Sequence, residues 1–108
     1  MEKLTCGQNK ILLTGDAEKK TEDQLINKQV DLSAQILQVG HHGSKTSTSA
    51  EFIRAVDPKI AVIQVGKNNR YGHPHQEVLD RLKNIKIFRT DLDGDINFLC
   101  DTENCVRQ

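Results

Sequence analysis

The chain has 108 residues, of which 36% are apolar and 4% aromatic, and its 15 basic side chains are balanced by 15 acidic ones. This length fits one domain, and the neutral balance gives no global charge that would indicate nucleic acid or membrane as a partner, although a local basic patch is compatible with it. No apolar run reaches the roughly 18 residues of a membrane span, and no signal-peptide pattern is present. The localisation of the chain therefore stays open.

Three cysteines, Cys6, Cys100 and Cys105, cannot all pair within one chain. None lies in a CxxC or a Cys/His zinc spacing. We expect separate thiols, with a Cys100–Cys105 bridge as the alternative.

Short elements follow one another in the first half of the chain. Two β-prone runs at residues 3–6 and 10–14 flank a Gly-Gln-Asn turn and predict a hairpin. A Thr-x-x-Gln capping box beginning at Thr21 predicts a helix over residues 19–28. Residues 34–39 are mostly apolar and predict the next strand.

The second half continues this alternation. A capping box at residues 48–51 begins a helix that ends before Pro58. Residues 60–65 are the most apolar run and predict an interior strand. A polar loop at residues 66–75 leads into a further helix, whose first turn suits Pro74.

The last elements are predicted as a closing hairpin. Ile85 and Ile87 alternate on one strand, Ile96 and Phe98 on another, and an Asp-Leu-Asp-Gly turn lies between them. The order ββ-α-β-α-β-α-ββ predicts a layered α/β domain.

Metal-type side chains follow three of the predicted strands. Asp16 comes after the first, His41 and His42 after the second, and His73 after the third. A carboxylate with neutral imidazoles and no nearby cysteine is the ligand set of a hydrolytic zinc or manganese site. The alternatives are that Asp16 caps the following helix and that the histidines face water in surface loops.

Further polar residues surround these positions. Ser44 and Lys45 add donors beside the double histidine, and Asn69 and Arg70 are suited to holding phosphate oxygens. His75 is expected to be a surface residue in the first turn of its helix. No Ser-His-Asp arrangement and no glycine-rich phosphate loop is recognisable.

Three motifs in this order resemble the metallo-β-lactamase-like domain of the ComEC/Rec2 competence proteins: LLTGD at 12–16, VGHHGSKTS at 39–47 and GKNNRYGHPH at 66–75. The resemblance runs over about residues 4–98. It implies that residues 1–108 form a single domain, the C-terminal half of an αββα hydrolase, with a mixed sheet and helices on one face.

The resemblance also implies a site for two divalent metal ions, zinc or manganese. Asp16 matches the aspartate that bridges the ions, and the double histidine matches the last histidine ligand. The glycine that follows favours His42 over His41, and the choice stays open. His73, together with Asn69 and Arg70, matches a loop at the mouth of the site, where substrate contact or proton donation is expected. In the family the domain is linked to DNA uptake, with a proposed nuclease role.

One departure from the family concerns its principal metal motif, a His/Asp-rich run before LLTGD, which this chain lacks. Because a catalytic zinc usually has at least three protein ligands, we expect weak or no activity from this chain alone. One sheet face should be bare unless a missing N-terminal half or a second copy covers it. The sequence thus supports two functions: a hydrolase of phosphodiesters such as DNA, or a non-catalytic binding or assembly module derived from that fold.

Overall fold

The fold is built on a five-stranded mixed sheet, seen in a computed structural model that describes all 108 residues. Its strands lie in the order β1 to β5, and a separate two-stranded sheet pairs β6 with β7. The strands are β1 (Glu2–Cys6), β2 (Asn9–Leu13), β3 (Ile36–Gln38), β4 (Ile60–Ile63), β5 (Lys86–Arg89), β6 (Phe98–Cys100) and β7 (Cys105–Arg107). The first two strands are antiparallel, and β2 to β5 run parallel.

Helices fill the connections between the parallel strands, as such crossovers require. They are α1 (Lys19–Asn27), α2 (Ala50–Val56) and α3 (Gln76–Arg81), with a tight turn at Gly40–Gly43 directly after β3; the short α4 (Thr90–Asp93) follows β5. None of these helices combines the length and the apolar character that crossing a membrane requires.

The main core lies between one face of the sheet and the first three helices. Leu12, Leu37 and Ala61 stand side by side on β2, β3 and β4, and all three are buried. Phe52 and Val56 of α2 pack in one cluster with Leu12 and Leu37 and are fully enclosed. Burying each large apolar side chain contributes about 1.5–3 kcal/mol, so this face carries most of the hydrophobic stabilisation.

The opposite face of the sheet is also apolar. Ile11, Ile36 and Val62 line a groove there, and Ile96 and Phe98 from the C-terminal part of the chain line it with them. The chain's own C-terminal segment therefore covers part of the face that the sequence led us to expect bare.

The predicted α/β class, with a mixed sheet and helices on one face, is confirmed. The first hairpin, the helix over 19–28 and the helix that ends before Pro58 are confirmed as well. The first capping box is wrong, because α1 begins one turn earlier with Glu18 at its N-cap and no side-chain bond there. The second helix is capped by Ser49, whose hydroxyl accepts from Phe52 N–H.

The closing hairpin is wrong. β5 pairs with β4 at the edge of the main sheet, the residues expected to form the turn are helical, and β6 pairs with β7. Ile87 and Phe98 lie in β5 and β6, whereas Ile85 and Ile96 lie just before these strands. The alternation of apolar residues carries no information about which strand is the neighbour.

The expectation of three separate thiols is also wrong. Cys100 and Cys105 form a disulfide across the β6–β7 pair, and Cys6 is free and exposed.

Candidate functional site

The carboxyl ends of the parallel strands meet at one edge of the sheet, which is where α/β folds place their sites. At this edge each pair of neighbouring strands is joined by a hydrogen bond from a side chain to a main-chain oxygen. These bonds run from Thr14 Oγ1 to Gln38 O at 2.6 Å, from His42 Nδ1 to Gln64 O at 2.7 Å and from Thr90 Oγ1 to Val65 O at 2.9 Å. The loops that carry the candidate residues therefore start from a fixed frame.

The double histidine adopts an unusual backbone conformation. His41 and His42 both have left-handed φ values, 52° and 54°. Non-glycine residues are uncommon in this region, and residues with such backbone strain cluster at functional sites. The turn ends at Gly43, where a Cβ would lie only 2.6 Å from Pro74 Cβ, so glycine lets this turn touch the loop after β4.

His42 presents one ring nitrogen to solvent. Its Nδ1 lies 2.7 Å from Gln64 O, and because a carbonyl oxygen only accepts, Nδ1 carries the hydrogen. The Nε2 atom then keeps its lone pair, which is how metal-binding histidines are oriented by their neighbours. His42 also lines a cleft together with His73 and Tyr71.

His41 is held differently from its neighbour. Its Nδ1 lies 3.6 Å from Glu18 Oε1 and 3.5 Å from Thr46 Oγ1, and its main-chain N–H donates to Gly15 O at 2.8 Å. The last bond fixes the double histidine against the loop that carries Asp16. The choice of ligand between His41 and His42 stays a prediction, and the bond at Nδ1 supports His42.

Asp16 is exposed at the end of β2. It does not cap α1, because Glu18 occupies the N-cap position. The alternative explanation of Asp16 as a helix cap is therefore wrong, and its role as a metal ligand stays a prediction.

His73 is positioned by Asn69. The amide of Asn69 accepts from His73 N–H at 2.8 Å and donates to His73 O at 2.7 Å. The ring stacks on Tyr71 with centroids 5.7 Å apart and lies 6.2 Å from the His41 ring. The structure thus brings His73 beside the double histidine, as the sequence predicted from the order of the strands.

The surroundings of His73 lower the pKa of its imidazole below the ordinary value. Burial is the largest cause, and the neighbouring rings of His75, His41 and His42 add repulsion against a proton. His73 therefore favours the neutral form, which can accept a proton.

His75 is half-buried at the N-cap position of α3 rather than simply on the surface. Its Nδ1 accepts from Lys45 N–H at 2.9 Å and its Nε2 donates to Tyr71 O at 3.2 Å. Both nitrogens are occupied, so this ring joins the two loops.

The predicted substrate-binding residues have different surroundings. Lys45 and Arg70 are exposed, and the Arg70 guanidinium lies 5.1 Å from the centre of the Tyr71 ring. Ser44 is buried, with its hydroxyl 2.9 Å from that of Thr46. The two cations are thus accessible to a ligand, whereas Ser44 and Asn69 organise their own loops.

The residues of the chain do not themselves form a complete metal centre. No group of three or more His, Cys, Asp or Glu side chains is arranged to hold a metal ion. His42 alone fits the chemistry of a prepared ligand, and the donor set as a whole falls short of the usual three.

Sequence reasoning missed three residues that shape this edge. Gln64 acts through its main-chain oxygen, and Thr90 bonds to both main-chain polar atoms of Val65. Tyr71 stacks on His73. None has a local signal: the contacts of Gln64 and Thr90 join residues that only the fold brings together, and the stacking of Tyr71 on His73 depends on the conformation of their loop.

The fold and this edge define a mixed α/β domain whose polar loops gather at the carboxyl ends of parallel strands. No protein-family model matches the chain. It is 51% identical over 89 residues to ComE operon protein 3 of Bacillus subtilis (strain 168). It is also 41% identical over 99 residues to competence protein ComA of Neisseria gonorrhoeae, and 42% identical over 99 residues to recombination protein 2 of Haemophilus influenzae.

These alignments cover 81%, 89% and 88% of this chain but only 12%, 14% and 12% of the respective relatives. The chain therefore spans a small fraction of the length of the curated relatives it matches. The relatives show a competence protein family, and this chain is a homologue of one segment of its members.

Proposed function

We propose that the chain contributes part of the active site of a metal-dependent hydrolase of phosphodiesters that works in DNA uptake. The fold proposed for the whole site is the metallo-β-lactamase type that the three motifs resemble. The observation that carries the proposal is His42, whose Nδ1 bond to Gln64 O leaves Nε2 free at the edge where Asp16 and His73 also lie. The names of the relatives support the link to competence.

Each residue has a proposed role that follows from its surroundings. Asp16 and His42, or His41 in its place, hold the divalent ion, zinc or manganese. At such sites the ion supplies a water whose pKa falls close to neutral. His73 accepts or returns a proton, because its lowered pKa favours the neutral ring.

The cations have a separate role in this proposal. Lys45 and Arg70 are exposed and contact the phosphate oxygens of the substrate. Asn69 and Ser44 act as positioning residues, since their polar atoms hold the two loops.

The number of metal ligands in this chain limits the hydrolytic activity that we expect from it alone. Because no three metal-type side chains converge, we propose that further ligands come from outside these 108 residues. Hydrolysis by the isolated chain should then be slow at best.

A non-catalytic binding or assembly module is the second candidate. It is favoured by the same incomplete donor set and by the apolar groove on the sheet face opposite the helices. In this case the polar residues at the carboxyl ends of the strands would bind a ligand without catalysing a reaction.

Metal titration of the 108-residue chain tests the ligand assignment. Zn²⁺ or Mn²⁺ binding, followed by calorimetry, should weaken at least tenfold in Asp16→Asn and in His42→Gln, since each removes a donor. Asp57→Asn is the matched control, because Asp57 is also exposed but lies just before the start of β4, at the opposite edge of the sheet. No binding by the unmodified chain, or equal binding by all variants, would overturn the assignment.

Cleavage separates the two candidate functions. A single-stranded oligonucleotide incubated with the chain and Mn²⁺ should be cut slowly, and more slowly still by Asp16→Asn. If both proteins give the same background, the hydrolase role is refuted for this chain and the binding module is retained.

A further inference from the structure

A second depression lies beside the segment that follows the double-histidine turn, and it shares no lining residue with the His73 cleft. It is formed by α1, the segment after the turn, the start of α2 and the end of α3. Its polar lining includes Lys19, Lys45, Thr46, Ser47, Ser49 and Arg81. Three basic side chains from separate parts of the sequence thus meet in one concave surface, although the chain as a whole is neutral.

Arg81 is fixed in this pocket by main-chain oxygens. Its Nη1 donates to Ser47 O at 3.2 Å and to Thr48 O at 3.3 Å, with Lys45 O at 3.4 Å. All three hydrogen bonds come from Nη1. Because their acceptors are uncharged carbonyl oxygens, the positive charge of Arg81 is not neutralised. A guanidinium that is held in place by carbonyls keeps its other N–H groups for an anion.

Two of the three basic side chains of the pocket, Lys45 and Arg81, form no ion pair with a carboxylate. Lys45 is exposed, and Lys19 lies 2.7 Å from Asp23, an exposed pair that contributes little by itself. The hydrogen bond and charge of Asp23 raise the pKa of Lys19, and Glu51 of the lining, which also lies 3.9 Å from Arg54, and the buried Glu22 raise it further. Since Lys45 and Arg81 have no carboxylate partner, the pocket suits an anionic group.

We propose that the pocket of Lys19, Lys45 and Arg81 binds a backbone phosphate of a single DNA strand whose neighbouring nucleotides cross the His42–His73 cleft. This rests on the proposed function and extends it by naming where the strand is held. Lys45 and the Arg81-bound carbonyls belong to the segment that directly follows the double histidine. A phosphate held here sets the position of the strand relative to that turn.

The test measures binding of a short fluorescein-labelled single-stranded oligonucleotide by anisotropy, in EDTA and at several salt concentrations. Lys19→Gln and Lys45→Gln should each weaken binding several-fold. Each should also make the slope of log affinity against log salt shallower, and the combined change should not exceed about 0.7, the value for one phosphate contact on a single strand. Arg81→Lys should also weaken binding, because lysine keeps the charge but loses the fork.

Lys59→Gln is the matched control, since Lys59 is an exposed lysine next to the start of β4, at the opposite edge of the sheet. The proposal is overturned if Lys19→Gln and Lys45→Gln bind no more weakly than Lys59→Gln, or if the unmodified chain does not bind at low salt. Binding of inorganic phosphate without binding of the oligonucleotide would also overturn it, by indicating a free-phosphate site.

The use of EDTA keeps this test separate from the proposed function. Loss of the hydrolase assignment, with the variant pattern of binding intact, would leave the phosphate pocket standing. Metal-dependent cleavage that is unaffected in Lys19→Gln, together with unchanged binding, would remove the pocket and leave the hydrolase.

Discussion

Glu22 shows how a single side chain positions the candidate site from a distance. It is 1% exposed, and its two carboxylate oxygens accept from Thr48 N–H at 2.6 Å and Ser49 N–H at 3.0 Å. These donors open α2, so a residue of α1 satisfies the start of the next helix and carries charge where the helix dipole favours it. The segment that follows the double histidine is thereby fixed to α1.

Replacing Glu22 by alanine should destabilise the chain by about 2–3 kcal/mol, because leaving a buried donor unpaired costs about 1–3 kcal/mol. Urea unfolding followed by circular dichroism measures this change. Glu77→Ala in the first turn of α3 is the control, since Glu77 is exposed. Equal midpoints for the two variants would contradict the structural role of Glu22.

His73 should titrate below the ordinary histidine value of 6.5, because burial and the neighbouring histidine rings both disfavour its proton. The unfolded chain then binds this proton more readily than the folded one. The stability contributed by the neutral ring is therefore complete above pH 6.5 and is lost as the pH falls through 6.5 towards the lowered pKa. An NMR titration of the His73 imidazole measures its pKa. The His41→Gln variant should raise this pKa, because it removes one of the neighbouring rings. A pKa of His73 at or above 6.5 would contradict the lowered value.

At the scale of elements, side-chain hydrogen bonds from Thr14, His42 and Thr90 link neighbouring parallel strands at their carboxyl ends. The Thr90 hydroxyl accepts from Val65 N–H at 2.8 Å and donates to Val65 O at 2.9 Å, so it continues the β4–β5 contact past the last strand residues. These two hydrogen bonds hold the base of the loop that carries His73.

Thr90→Val keeps the shape of the side chain and removes both bonds. We expect a loss of about 1–3 kcal/mol in the free energy of unfolding, since Val65 N–H is left without its partner. Thr5→Val on β1 is the matched control at an exposed strand position. A Thr90→Val protein as stable as the control would show that water replaces the hydroxyl at no cost.

The sequence predicted those elements whose signals are local. The hairpin of β1 and β2, the parallel strands and the helix after Ser49 all follow from alternation, glycine turns and capping within a few residues. Ile85 and Ile87 were predicted to face Ile96 and Phe98 as hairpin partners, but β5 pairs with β4, because strand pairing is decided by the whole sheet.

In the candidate site, too, the sequence predicts the features with local signals and misses those that depend on the fold. Asp16, the double histidine and His73 could be found from the sequence, since each follows an apolar strand, and the structure gathers the two histidine loops at one edge. The Nδ1 bond of His42, the Asn69 bracket around His73 and the Arg81 pocket join residues that are distant in sequence or act through main-chain atoms. No pattern of residue types records such contacts.

At the scale of the whole molecule, the two faces of the sheet are covered in different ways. Three helices cover one face, whereas the other meets only side chains from the C-terminal segment, with Phe98 packed edge to face on Phe88 at 6.1 Å. The same segment is anchored at its far end, where Asn9 Nδ2 donates to Asp101 O at 3.0 Å and Gln8 N–H donates to Thr102 O at 2.8 Å. The segment therefore acts as a cover as well as a second sheet.

Removing residues 95–108 should expose the apolar groove around Ile11, Ile36 and Val62. An uncovered apolar patch of this kind promotes association, so we expect the shortened chain to sediment as larger species than the full chain and to bind the dye ANS. The matched control is Cys100→Ser with Cys105→Ser, which removes the disulfide but keeps the cover. That control should sediment as the full chain does, because the bond closes only a short loop and the groove keeps Ile96 and Phe98. If the control associates as strongly as the shortened chain, the cross-link rather than the apolar cover protects this face.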